Sequence, residues 1–160
     1  MELTLNDGRI ITGKRGGKLE DFTRVVQKPE DPLIVGAILD GHLRELTYPV
    51  GQDGQATLLT MEDSDGARIY RRSLVFLLEV AFRSCFPEGG LTIDHSVSSG
   101  GYYCQVSNLP FFGQVELDRI NVAMQELVDQ DVPFVRETVP LDEAIAYFKA
   151  AGEDDKVRLL

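Results

Sequence analysis

Two clusters of residues have types and spacing that could bind an anion. The first is a basic, glycine-rich segment made of Lys14, Arg15, Gly16, Gly17 and Lys18. Cationic side chains and glycine backbone N–H groups can together hold a phosphate. The sequence has no GxxxxGK[ST] segment, so it does not indicate the phosphate loop of nucleoside-triphosphate-binding proteins. A solvated turn between a strand and a helix is the alternative interpretation of this segment.

The second cluster includes Arg71, Arg72 and Ser73, which are predicted at the start of a helix. Guanidinium groups bind anions in a bidentate fashion, and a helix N-terminus adds favourable N–H groups. A pair of exposed basic residues that offset a negative domain is the alternative. A nearby histidine could titrate near physiological pH, although a structural role is the alternative. The candidate ligand or anion cleft comprises Arg71, Arg72, Ser73, Phe76, His95 and Tyr103.

Catalytic and metal-binding residues are scarce. The only histidines are His42 and His95, and the two cysteines, Cys85 and Cys104, have no metal-ligand spacing. A zinc site needs several such ligands in one place. We therefore predict neither a catalytic residue nor a metal site, and no cofactor bound to this chain itself. Cys104 has no nearby cation or base to activate it and is interpreted as a small buried apolar residue.

The charge of the chain bears on its partners and location. The 160 residues carry a net charge of −10, with 7 Lys and Arg against 9 Asp and Glu up to Met61 and 9 against 17 beyond it. Because phosphate contacts come from Lys and Arg, this acidity disfavours RNA as a partner. No apolar run is long enough to span a membrane and no signal peptide opens the chain, so we expect a cytoplasmic protein.

The first sixty residues predict a small α+β domain. Strands are expected at residues 2–5 and 9–12 around the Asn6–Gly8 turn, followed by a helix from Leu19 to about Val26. Two more strands are expected at residues 33–39 and 55–61. This order favours a β-grasp, a sheet of about four strands curled over one helix. We place this first domain at residues 1–61.

The second part, residues 62–160, predicts a smaller α+β domain with antiparallel strands and three helices. A long helix capped by Ser64 or Asp65 ends at Pro87, and a hairpin of two strands follows, turning at Ser98–Gly101. The remaining elements are expected as helices at residues 114–130 and from 140 to 152, and strands at residues 134–139 and 156–160. A strand ending at residue 160 would leave its sheet unfinished, so we expect a piece of a longer polypeptide.

Several motifs resemble the N-terminal region of threonyl-tRNA synthetases. The first domain resembles the TGS module, a β-grasp shared by synthetases, GTPases and stringent-response enzymes. The second resembles the editing-type domain of threonyl- and alanyl-tRNA synthetases. The matching residues are Asp65, Gly66, Ile69, Arg71, Ser73, Leu77, Leu78, Gly101, Tyr102, Tyr103, Phe148, Gly152, Glu153, Lys156, Val157 and Leu159.

The sequence departs from the editing enzymes at their reactive pair. In the editing enzymes that the second domain resembles, this helix carries a His-x-x-x-His pair. That pair acts with a later Cys and His in hydrolysis. The corresponding positions here are Arg72 and Phe76, and neither side chain can serve as a general base or metal ligand. We interpret Phe76 as filling the former pocket. The resemblance therefore implies a disabled editing site.

The same two domains also resemble the start of uridine-kinase-like nucleoside kinases. There a His-Ser-x-Ser strand precedes Gly-Tyr-Tyr-Cys, as residues 95–98 and 101–104 do here. This resemblance favours a non-catalytic regulatory region that senses a small ligand. The ATP, magnesium and phosphate loop would then belong to a linked C-terminal kinase domain. The alternatives are an RNA-associated module of threonyl-tRNA synthetase type with a disabled editing site, and a free-standing TGS interaction domain.

Overall fold

The computed structural model describes residues 1–97 and 100–160, and only the backbone of Asp155. The described chain is mixed α+β, as predicted. Its strands are β1 (Glu2–Leu5), β2 (Ile10–Thr12), β3 (Ile34–Leu39), β4 (His42–Arg44), β5 (Gly54–Thr60), β6 (Gly90–Ser96) and β7 (Tyr102–Ser107). Its helices are α1 (Leu19–Thr23), α2 (Ser64–Cys85), α3 (Gln114–Asp129), α4 (Leu141–Ala150) and α5 (Asp154–Leu159). The chain divides into two compact units, Met1–Glu126 and Leu127–Leu160.

The first unit is built around a mixed sheet in the order β2-β1-β5-β3-β4. The two central neighbours β1 and β5 are parallel, with Thr4 opposite Gln55, and the other pairs are antiparallel. The predicted strands of the first sixty residues are thus confirmed, with β4 as an additional edge strand. His42 lies in β4 and is exposed.

The core of the first unit lies between this sheet and α1. Leu19 and Phe22 of α1 are completely buried, and the helix ends at Thr23 rather than near Val26. The ring of Phe22 lies where a Cβ on Gly13 would be, only 2.5 Å away, so this close approach requires glycine. The other buried members of the core are Leu3, Leu5, Ile11, Ala37, Leu39, Val50 and Ala56.

A close contact fixes the start of α2 against the sheet. A Cβ on Gly66 would lie 1.9 Å from the carbonyl oxygen of Thr60, so the helix backbone touches the end of β5. The predicted caps Ser64 and Asp65 are wrong, because the N-cap residue is Asp63. Its carboxylate accepts hydrogen bonds from the backbone N–H of Thr60 at 2.7 Å and from the Thr60 hydroxyl at 3.0 Å. The Asp63 side chain therefore closes the turn between β5 and α2 by binding Thr60 at the end of the strand.

The C-terminal part of α2 packs against the segment before α3. The rings of Phe82, Phe86 and Phe112 lie with centroids 5.4–6.2 Å apart. The Arg119 guanidinium lies 4.8 Å from the Phe86 ring centroid and donates to the Cys85 carbonyl at 3.4 Å. Aromatic contacts of this geometry add stability beyond the area they bury. This cluster joins α2 to α3 within the first unit.

The hairpin and the C-terminal end of α2 agree with the sequence prediction. β6 and β7 are antiparallel, with an irregular step between Ile93 and His95. Gly100 has φ +90°, as the tight turn requires. The Ser98 and Ser99 of the predicted turn lie outside the described residues. The α3 helix is also confirmed, and Ile120 is its buried residue among those that the structure describes.

The second unit, Leu127–Leu160, differs most from the sequence prediction. Residues 134–139 form no strand, and their side chains are exposed. The terminal strand is also wrong, since Asp154–Leu159 is the helix α5. The segment after residue 61 therefore has four described helices instead of three. Lys156 pairs with Glu153 at 2.9 Å, three residues earlier, and this spacing stabilises a helix but has no equivalent along one strand.

None of the helices among the described residues is both long and apolar enough to cross a membrane.

Replacing Gly66 with alanine should strongly destabilise the chain. The added methyl group would overlap the Thr60 carbonyl oxygen, and we expect a loss of at least about 2 kcal/mol in the free energy of unfolding. Gly51→Ala is the matched control, because nothing lies within 4 Å of its Cβ position. Urea denaturation followed by circular dichroism measures both. Equal effects of the two substitutions would contradict the contact.

Phe112→Ala should lower the free energy of unfolding by about 2 kcal/mol, because it removes one ring from the aromatic cluster. The neighbouring Phe111 is 71% exposed. Phe111→Ala should therefore change stability by no more than about 0.5 kcal/mol. Thermal and urea unfolding of both variants measures the difference, and a larger loss for Phe111→Ala would show that the cluster is assigned to the wrong ring.

Candidate functional site

The arginine pair lies inside α2 and not at its start. Because α2 begins at Ser64, Arg71 and Arg72 are two turns away from its free N–H groups. The Ser73 hydroxyl donates to the Ile69 carbonyl at 3.2 Å within the helix. The predicted contribution of a helix N-terminus is therefore wrong. An anion on this surface would depend on the guanidinium groups alone.

Phe76 does not fill a former pocket. Its side chain is 53% exposed, whereas the buried residues of the same helix half are Ala81 and Phe82. Arg72 and Phe76 are four residues apart and share one face of the helix. That face is directed towards solvent, which corrects the expectation that Phe76 is part of the core.

The hairpin presents an exposed aromatic pair. His95 lies opposite Tyr103 in the β6–β7 ladder. Their rings are stacked, with centroids 5.5 Å apart and planes inclined by 23°. The His95 Nδ1 lies 3.4 Å from a carboxylate oxygen of Asp94, and Tyr103 is 50% exposed. Exposed rings of this kind can stack on planar groups such as nucleobases.

Arg71 connects α2 to the end of this hairpin. Its Nη1 lies 3.8 Å from the position that a Cβ would have on Gly100. The structure thus brings a guanidinium to the tip of the hairpin that carries His95 and Tyr103. We refer to Arg71, Arg72, Phe76, His95 and Tyr103 as the α2–hairpin surface. It combines positive charge with exposed rings, and among the described residues of the chain no group of three His, Cys, Asp or Glu could hold a metal ion.

The glycine-rich basic loop has little free backbone to offer an anion. The N–H of Gly16 donates to the Val50 carbonyl at 2.7 Å, and that of Gly17 to the Lys14 carbonyl at 3.0 Å. Lys18 forms an isolated bridge with Pro49, and its Nζ lies 3.3 Å from a carboxylate oxygen of Glu20. A phosphate at this loop would depend on the exposed side chains of Lys14 and Arg15, and the phosphate-binding interpretation stays a prediction.

Cys104 lies on the partly buried face of β7, opposite Ile93. Burial raises the pKa of the Cys104 thiol above its usual value, because it disfavours the thiolate. Its Sγ donates to the Tyr102 carbonyl at 3.9 Å. These features agree with the interpretation of Cys104 as a small apolar residue.

Sequence reasoning missed a cleft in the first unit. It lies beside the edge strand β4 and has a volume of about 350 Å³. His42 and Arg44 are two residues apart on β4, so they share one face of the strand, and Tyr48 follows them. A His-x-Arg pair with an aromatic residue four positions on was the available signal, but β4 was not predicted as a strand.

Comparison with known proteins finds relatives that match the whole chain or most of it. No family model matches the chain. All 160 residues are 30% identical to a threonine–tRNA ligase of Hyphomonas neptunium, of which they cover 24%. They are 28% identical to one of Clostridium kluyveri, covering 25% of it. Over 126 residues, 79% of the chain, identity is 35% to a threonine–tRNA ligase of Burkholderia vietnamiensis, covering 20% of it. The chain is similar, over its whole length, to part of proteins named threonine–tRNA ligase.

The chain spans about a quarter of the length of the first two of these relatives. Its similarity nevertheless runs from end to end, through both predicted domains. This finding overturns the prediction of a regulatory region from a uridine-kinase-like protein, because the relatives that match the whole chain are named threonine–tRNA ligase. The expected ATP, magnesium and linked kinase domain depended on that interpretation.

Alkylation should reveal the raised pKa of Cys104. In a Cys85→Ser variant at about pH 7.5, we expect iodoacetamide to react more slowly with Cys104 than with an unstructured cysteine peptide. The raised pKa of Cys104 leaves less of the reactive thiolate at that pH. The rate should rise with pH through a midpoint above that of the peptide. A midpoint below that of the peptide would contradict burial as the dominant influence.

Proposed function

We propose that this chain is an RNA-associated module of a threonine–tRNA ligase-type protein that contacts tRNA and does not hydrolyse aminoacyl-tRNA. The observation that supports this proposal most strongly is the end-to-end similarity to proteins named threonine–tRNA ligase. Ligases of that name act on tRNA. We extend tRNA as a partner from those ligases to this chain, which spans about a quarter of their length.

Within this proposal, the first unit contributes a β-grasp of TGS type at residues 1–61. Support comes from the parallel pair β1–β5 at the centre of the sheet, with the antiparallel partners β2 and β3–β4 outside it. The helix α1 covers one face with Leu19 and Phe22. Such a sheet pairs the first strand of a short segment with its last strand, as a β-grasp requires.

The α2–hairpin surface is the part that we propose to contact RNA. Arg71 and Arg72 supply positive charge, and neither forms an ion pair with the described residues of the chain. The stacked pair of His95 and Tyr103 offers rings to an unpaired base. The net charge of −10 works against binding elsewhere on the chain. Affinity should therefore be low and concentrated at this surface.

The absence of hydrolysis follows from the residues on α2. The face that resembles the editing helix carries Arg72 and Phe76, which can neither accept a proton from water nor hold a metal at neutral pH. His42 and His95 are the only histidines, and they lie in different strands, β4 and β6. A general base for water attack is thus missing from α2.

Binding of tRNA should be weak and should decrease as salt increases. We expect the logarithm of the association constant to fall linearly with the logarithm of the salt concentration, measured by fluorescence anisotropy of labelled tRNA. In Arg71→Gln/Arg72→Gln the slope should become shallower by about 1 to 2, because up to two phosphate contacts are lost.

The matched control is Arg9→Gln/Arg24→Gln, which changes the charge equally. Arg9 pairs with Asp7 at 2.7 Å and Arg24 with Glu20 at 3.0 Å, both in the first sixty residues. This variant should keep the original slope. No binding of tRNA at low salt, or the same reduction in both variants, would refute the proposed surface.

Deacylation assays test the other half of the proposal. We expect aminoacyl-tRNA to lose its amino acid at the rate seen in buffer alone, with or without the chain. Arg72→His/Phe76→His should leave that rate unchanged, because in the editing enzymes this pair acts with a later Cys and His, and no histidine follows His95 in this sequence. Deacylation by the unmodified chain above the buffer rate would show that the site is active.

A further inference from the structure

The cleft beside β4 combines a half-enclosed shape with groups suited to a planar anion. It has a volume of about 350 Å³, which lies in the range of small-molecule sites. Its floor includes Leu3 and Val50, both nearly fully buried. His42, Arg44 and Tyr48 form its polar wall. Apolar floors with a few converging polar groups are typical of ligand pockets.

The arginine of this cleft is held over an aromatic ring. The Arg44 guanidinium carbon lies 4.7 Å from the centroid of the Tyr48 ring, and one guanidinium nitrogen donates to the Leu43 carbonyl at 3.2 Å. A cation–π contact of this kind holds the guanidinium over the ring while other N–H groups stay available. A flat cation above a tyrosine can stack on a planar ring and donate to an anionic group.

The one carboxylate in the cleft already has a partner. The Asp40 Oδ1 accepts a hydrogen bond from the Gln55 backbone N–H at 2.8 Å. Asp40 also lies against Gly54, where a Cβ would be 2.5 Å from its Oδ2. The carboxylate is thus directed to the start of β5, and His42 and Arg44 are the side chains in the cleft that we assign to an anionic ligand.

The segment that closes the cleft is held by backbone hydrogen bonds. Leu19 donates to the Tyr48 carbonyl at 2.9 Å, and Glu20 donates to the Leu46 carbonyl at 2.9 Å. The Val50 N–H donates to the Gly17 carbonyl at 2.9 Å. Tyr48 is therefore positioned by α1 before any ligand arrives, and a preorganised wall lowers the entropy lost on binding.

We propose that this cleft binds a free mononucleotide, with the base on the Arg44–Tyr48 pair and the phosphate at His42 and Arg44. The Arg44 guanidinium supplies the charge-assisted hydrogen bond that a phosphate needs, and the ring N–H of His42, two residues away on the same strand face, can donate another. The stacked pair supplies the flat surface that a base needs. The site is separate from the α2–hairpin surface, so its test is independent of tRNA binding.

The two histidines make the test selective. Proton NMR of the full chain shows the imidazole signals of His42 and His95 only, assigned with a His42→Gln variant. Titration with AMP should shift the His42 signals in a saturable way and leave those of His95 unchanged. Adenosine, which lacks the anion, should cause no shift. Inorganic phosphate should bind about tenfold more weakly than AMP, since it lacks the base.

Substitution then distinguishes the site from general attraction of anions. Arg44→Gln should weaken AMP binding about tenfold, because one charge-assisted hydrogen bond and the stacked cation are lost. Arg24→Gln, which removes a charge from the exposed side of α1, should leave the affinity unchanged. Unchanged His95 signals in the Arg44→Gln variant show that the β6–β7 hairpin, which lies outside this sheet, keeps its fold.

Several results would overturn the proposal. They are no His42 shift at about 10 mM AMP, equal shifts of both histidines, and equal affinities of the original chain and Arg44→Gln. Equal affinity for phosphate and AMP would reject the stacking of the base.

Discussion

The contact between Gly66 and the Thr60 carbonyl controls the position of everything that follows the sheet. At this point the backbone of α2 lies against the end of β5, with no side chain between them. The carboxylate of Asp63 closes the same turn on the strand side. Because a helix is rigid over its length, a small change of angle here would displace Arg71 and the aromatic cluster much further along α2. The helix α3 is in turn joined to that cluster through Arg119.

The sequence predicted the elements best where short-range chemistry determines them. Asn6–Gly8 and Gly100 mark tight turns that depend on positive φ, and both turns are present. The periodic apolar residues of α2 and α3 predicted those helices because the pattern extends over several turns. The three-residue strand β4 has no such pattern. It exists because β3 offers it a hydrogen-bonded edge, and that is a tertiary contact.

The candidate site was harder to predict than the fold. Residues on α2 were correctly placed on a helix, but their exposure depends on which face packs against the sheet and Phe112, and sequence spacing does not give that. Phe76 was therefore assigned to the core although it is exposed. The sequence did identify both members of the His95–Tyr103 stack. Their contact depends on the irregular step after Ile93, which changes the register by one residue.

The parallel pairing of β1 with β5 also determines when the first unit can form during synthesis. Thr4 pairs with Gln55, so the strand made first cannot reach its central position until more than fifty further residues have left the ribosome. Until then β1 has only β2 as a partner, and an isolated two-stranded hairpin is marginally stable. At translation rates of about 5–20 residues per second, the nascent chain waits several seconds. The hydrophobic residues of β1 are exposed to chaperones during that interval.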